Sequence, residues 1–231
     1  MMKHNRIALL SMASVVMSIP SASMAYIVNI DNGTTYTIGS LTGFSTSGDM
    51  MDGMTVIFDF DGLGSFSHSW TDSALGIGGV SGASGGASWS LELVGDSFAS
   101  PWTLTVENAV LRKLTLIGST GLTAFDLDKP NPGTVGSANG STFFTNSTLP
   151  ITATYKNIIQ LGSNAPVGDL YERLIIEFGG EGFRSGTIEF VADTDNISAG
   201  TFYEPVVPGP AATLPFGVGL LAALKRKRNH K

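Results

Sequence analysis

The chain has 231 residues, of which 42% are hydrophobic and only 14% charged, against about 25% charged in ordinary soluble domains. Cysteine is absent, which excludes a disulfide scaffold, a thiolate zinc site, an iron–sulfur centre and a cysteine nucleophile. Seven of the 13 basic residues lie in segments 1–25 and 225–231, where there is no acid, so the intervening body sets all 19 acids against six bases and offers no basic groove for nucleic acid.

The first 25 residues have the plan of a secretory signal. Lys3 and Arg6 precede the apolar run from Ile7 to Met17, Pro20 closes it, and Ser23-Met24-Ala25 fits the small-x-small pattern of signal peptidase. The run is shorter than the roughly 20 residues that span a bilayer, so the segment is expected to be a signal helix cleaved between Ala25 and Tyr26.

The body, residues 26–204, reads as one all-β domain. Tyr26–Ile30 and Thr35–Ile38 are expected to form an opening hairpin across Asp31-Asn32-Gly33, since Asn-Gly suits a primed turn. Period-two alternation marks Trp89–Leu93, Trp102–Val106, Ile151–Tyr155 and Thr187–Asp193. Thr55–Phe60, Leu114–Ile117 and Leu174–Phe178 mix alternation with continuous apolar stretches, as more buried strands do. The glycine-rich stretch from Leu75 to Ser88 reads as a flexible connection or a bulged strand, and Pro130-Asn131-Pro132-Gly133 is turn chemistry. No segment carries a capped 3.6-residue stripe. Eight to ten short strands without helices predict a single antiparallel two-sheet β-sandwich of jelly-roll type.

Catalytic signals are sparse. His68 is the one histidine of the body, and no Gly-x-Ser-x-Gly elbow surrounds a serine, so no Ser-His-Asp triad is expected. Glu92, Glu107, Glu177 and Glu189 fall on the outer face of predicted strands. Two convergent carboxylates of raised pKa in a cleft would be the mark of a hydrolase. Calcium is the cofactor that the acidic pattern suits best. Asp193-Thr194-Asp195 and Asp59-Phe60-Asp61 each place two carboxylates on one side of extended chain, with Asp49 and Asp52 as a third pair, and a hard cation wants six to eight oxygens. Trp70, Trp89 and Trp102 would make a stacking platform for sugar rings if two of them shared an exposed face.

The C-terminus, residues 205–231, has three parts. Val207-Pro208-Gly209-Pro210 is followed by the apolar stretch Ala211–Leu224, and then by a basic block from Lys225 to Lys231 that holds the tail on the cytoplasmic side. This order resembles the PEP-CTERM sorting signal of Gram-negative bacteria, in which a Pro-Glu-Pro motif, a hydrophobic helix and an Arg-rich end are read by a membrane-embedded exosortase. Gly209 stands where the family's Glu usually sits. Pieces of the body, Gly48-Asp49-Met50, Gly95-Asp96-Ser97-Phe98, Val167–Tyr171 and Phe190–Asp195 among them, are also similar to exported proteins that carry this tail. The resemblance implies a protein tethered first to the inner membrane, processed near Pro208, Gly209 and Pro210 by exosortase after signal peptidase has acted, and placed at the cell surface or outside the cell. It implies a non-enzymatic structural or adhesive role in exopolysaccharide or biofilm. A calcium-assisted, lectin-like carbohydrate-binding module is the first alternative, and a secreted glycoside hydrolase the second.

Overall fold

A computed structural model describes residues 26–128, 132–137 and 140–203. The expected signal helix through Ala25, and the tail with Pro208, Gly209 and Pro210, lie outside the described residues.

The regular structure of the described residues is nearly all strand. In chain order the strands are β1 (Tyr26–Asp31), β2 (Thr35–Ile38), β3 (Leu41–Gly43), β4 (Thr55–Phe60), β5 (Gly64–Ser69), β6 (Thr71–Ala74), β7 (Ile77–Ser84), β8 (Ala87–Val94) and β9 (Trp102–Glu107). They continue with β10 (Leu111–Ile117), β11 (Thr123–Asp126), β12 (Phe144–Thr145), β13 (Ile151–Leu161), β14 (Leu170–Phe178), β15 (Gly186–Val191), β16 (Asp193–Ile197) and β17 (Gly200–Tyr203). Gly48–Met51 and Gly118–Gly121 are single 3-10 turns. Among the described residues no helix is long and apolar enough to cross a membrane.

The strands form two sheets. The larger has eleven, with β17-β2-β13-β14-β10-β4-β5 as its spine and β1, β3, β11 and β16 attached; the smaller runs β12-β15-β9-β8-β7-β6. Pairing is antiparallel except where β1 and β2 run parallel to β13. Alternation does what the pattern predicts. β4 buries Val56, Phe58 and Phe60; β8 buries Trp89, Leu91 and Leu93; β9 buries Trp102, Leu104 and Val106. These inward residues join Leu114, Leu116, Tyr155, Leu174 and Ile176 in one core between the sheets. Trp89 packs across the gap on Phe60, with ring centroids 4.7 Å apart.

Two expectations need correction. The opening hairpin does not form. β1 pairs with Ile151–Lys156 and β2 with Ile159–Leu161, so both lie along the single strand β13. The Asn-Gly segment spans an interruption instead, held where Asn32 O accepts from Ile158 N at 3.0 Å and Asn157 Oδ1 accepts from Thr34 N at 3.2 Å. The glycine-rich stretch is strand and not a flexible connection: β7 and β8 are a hairpin closed by Gly85-Gly86. Its glycines make room for large neighbours. A Cβ at Gly82 would meet the Trp89 ring at 2.7 Å, and one at Gly78 would meet Trp70 Nε1 at 2.3 Å.

Two of the passages between the sheets take a single residue, Trp70 (β5 to β6) and Ala192 (β15 to β16). Each crossing is pinned by an indole N–H. Trp70 Nε1 donates to Gly48 O at 2.8 Å, and Trp102 Nε1 donates to Ala192 O at 2.9 Å. The second crossing sets the position of Asp193 and Asp195.

Candidate functional site

β11 and β16 are neighbours in the larger sheet, with Asp126 opposite Asp193 and Ala124 opposite Asp195. Side chains on one face of a strand recur every second residue, so Asp126, Asp193 and Asp195 share a face. All three are buried, with 2%, 5% and 2% of their surface exposed. Like charges set directly opposite one another in a sheet are destabilising, and buried ones more so.

These carboxylates line a pocket of about 200 Å³ together with Phe44, Ser45, Asp96 and Phe98. No basic side chain lines it. None of the five ion pairs found among the described residues involves any of its four aspartates. Hydroxyls and two backbone N–H groups supply a partial substitute. Asp193 Oδ1 accepts from Ser97 Oγ at 3.0 Å and from Thr194 N at 2.8 Å. Asp126 Oδ2 accepts from Ser137 Oγ at 2.6 Å. Asp96 accepts from Ser45 Oγ, and from Phe98 N at 2.9 Å. Asp195 Oδ2 has no hydrogen-bond partner, and the buried Tyr155 hydroxyl has none either.

Burial is the main reason that all three acids hold protons to about pH 7. Mutual repulsion adds to it: Asp195 and Asp169 act on Asp126, Asp126 and Asp96 on Asp193, and Asp193 and Asp169 on Asp195. The Ser137 hydroxyl opposes the shift at both Asp126 and Asp195, but it has one proton to donate. Glu172 shows the contrast. It is as deeply buried, yet it accepts from Ser119 Oγ at 2.8 Å, Asn157 Nδ2 at 3.0 Å and Arg173 Nε at 2.6 Å. Both of its oxygens are answered, whereas Asp195 Oδ2 is not.

The sequence pattern thus places Asp193 and Asp195 together as expected, and the fold adds Asp126 and Asp96, which the pattern missed. The one available signal was an acid inside the otherwise apolar run Ala124-Phe125-Asp126-Leu127. Asp59 and Asp61 do not join them. Asp61 pairs with Arg112 at 2.7 Å, and Asp59 with Lys113 at 2.9 Å and with Ser65. Burial pulls the Asp59 carboxyl up, but those hydrogen bonds and the lysine charge hold it below the usual carboxylate range. Asp49 is taken by Ser47 within its own 3-10 turn.

The tryptophan platform is corrected outright. Trp70 and Trp102 are wholly buried and Trp89 is 3% exposed, because β8 and β9 turn Trp89 and Trp102 into the core and the β5–β6 crossing does the same for Trp70. Trp89 Nε1 donates to His68 Nε2 at 3.3 Å, which gives His68 a packing role beside that ring. Exposed aromatics among the described residues include Phe44 and Phe98, at 63% and 54%, both on the acidic pocket. Tyr26 opens β1 and packs edge-on against Phe143 and Phe144. Among the described residues no three His, Cys, Asp or Glu side chains are placed to hold a metal ion. No family model, no curated protein and no solved structure matches the chain.

Proposed function

We propose that this chain is an exported, non-enzymatic protein of the cell surface or extracellular matrix, a jelly-roll-like sandwich that lies against hydrated polysaccharide. Its route is the one its ends imply: signal peptidase at Ala25–Tyr26, a transient tether to the inner membrane, and exosortase at the C-terminal motif.

The observation that supports the polymer partner is the outer face of the smaller sheet. Ser81, Ser90, Thr105 and Thr187 form one continuous row across β7, β8, β9 and β15. Thr71, Gly79, Glu92, Thr103 and Glu189 form the next row. A shallow furrow of about 370 Å³ runs between them, floored by glycine backbone at Gly79. Hydroxyls both donate and accept, so such a surface exchanges bonds with a chain of sugar hydroxyls at little desolvation cost.

The hydrolase reading has one feature in its favour, the carboxylates of raised pKa in a pocket. Glycoside hydrolysis needs two carboxyls driven apart, one protonated and one ionised. Here Asp126, Asp193 and Asp195 are all pushed the same way to about 7, so no acid and nucleophile are distinguished.

The test is co-sedimentation of the full chain with exopolysaccharide from the producing cells. The Ser90→Ala, Thr105→Val, Thr187→Val triple variant keeps strand-compatible side chains and removes three hydroxyls. Retention of the parent and a several-fold loss in the variant, with circular dichroism unchanged, are expected. No retention of the parent would end the polysaccharide reading.

A further inference from the structure

The acidic pocket has more negative oxygen than its protein partners satisfy. Asp126, Asp193 and Asp195 arrive from two neighbouring strands, and Asp96 from the β8–β9 loop, while Phe44 and Ser45 close the side from the segment after β3. Asp195 Oδ2 is orphaned, and so is the Tyr155 hydroxyl, on which the nearby charges of Asp126 and Asp193 act. A buried acceptor without a donor is costly, and native structures resolve such sites with a proton, a water or a cation.

We infer that Asp126, Asp193 and Asp195, with Asp96 from the facing loop, bind one calcium ion in this pocket.

Calcium fits better than magnesium for a geometric reason. The carboxylates share a face but no three of them are placed to hold one ion, so binding would have to draw side chains from β11, β16 and the β8–β9 loop together. Calcium tolerates six to eight oxygens in irregular, adjustable arrangements, whereas magnesium demands a near-ideal octahedron. A pocket of about 200 Å³ has room for the ion and the waters that complete its shell. The Asp59–Asp61 pair has no such need, because Lys113 and Arg112 already answer it.

The experiment uses the full chain in mild detergent, stripped with EDTA and dialysed to about pH 7.5, with calcium chloride alone as the probe, titrated to about 10 mM because sites on extracellular modules bind at about 0.1–1 mM. Calorimetry is expected to show saturable binding of one ion per chain. The melting temperature is expected to rise by about 5 °C at saturation. Asp195→Asn, of equal size and without the charge, is expected to lose both effects, and Asp61→Asn to keep both. Terbium luminescence on the parent chain gives a reading that needs no variant: Tyr155 sensitises the bound ion, and calcium displaces it. Absence of heat and of a melting shift, an equal shift in Asp195→Asn, an equal shift with magnesium chloride, or terbium emission that calcium does not quench would each overturn the assignment. Polysaccharide retention by the Asp195→Asn chain reads the other face separately, so failure of one proposal leaves the other intact.

Discussion

Trp102→Ala separates a tryptophan that holds the fold from one that holds a ligand. Trp102 is wholly buried. Its ring stacks on Phe190 at 5.9 Å and meets Trp70 edge-on at 5.2 Å, and its N–H holds the Ala192 carbonyl at the crossing between sheets. Truncation of a buried Trp or Phe to Ala removes about 3–5 kcal/mol through lost contacts and the cavity left behind. Orphaning the Ala192 carbonyl adds about 1–3 kcal/mol. Together that is about 4–8 kcal/mol, roughly half of a total stability of about 5–15 kcal/mol. Trp102→Phe keeps an aromatic ring against Phe190 and loses the hydrogen bond and part of the indole volume, so it is expected to cost less than Trp102→Ala. Urea unfolding followed by tryptophan fluorescence, with polysaccharide retention measured alongside, reads both roles. A loss below about 1 kcal/mol together with abolished retention would refute the argument, because it would mean an indole available to ligand.

Gly78→Ala is expected to destabilise by about 2–4 kcal/mol, since the new Cβ would lie 2.1 Å from Gly48 O and 2.3 Å from Trp70 Nε1 and would break the Trp70–Gly48 bond. A urea midpoint within error of the parent would contradict it. In EDTA the fold is expected to lose stability as pH rises. Asp126, Asp193 and Asp195 titrate near 7 when folded and near about 3.9 when unfolded, so their contribution is complete below about pH 4 and gone above about pH 7. The slope is about 1.4 kcal/mol per pH unit for each proton released, and the three titrate as a coupled group, so less than three such slopes is expected. Urea midpoints that stay flat or rise across this range would contradict the prediction.

The strands that alternate cleanly were legible in the sequence, because burial of one face imposes period two whatever the partner strand is. β4, β8, β9 and β13 all obey it. Partner choice was not legible. Asn32-Gly33 has the chemistry of a tight turn, yet β1 and β2 both lie along β13, more than a hundred residues away, and only that pairing turns the dipeptide into an interruption. The glycines of β7 misled for a related reason, since the Trp70 and Trp89 rings that need the space come from the β5–β6 crossing and from β8. Asp193 and Asp195 were visible as an acidic pair, but Asp126 joins them only through the β11–β16 register. Sequence spacing likewise made Asp59 and Asp61 look equivalent to that pair. What distinguishes them is Arg112 and Lys113, brought alongside by the neighbouring strand β10.

Intact-mass analysis of the protein recovered from the surface of the producing cells bears most directly on the proposed placement. The account predicts a species that begins at Tyr26 and ends near Pro208-Gly209-Pro210. A single cytosolic species of 24.1 kDa, with both cationic ends still attached, would contradict it.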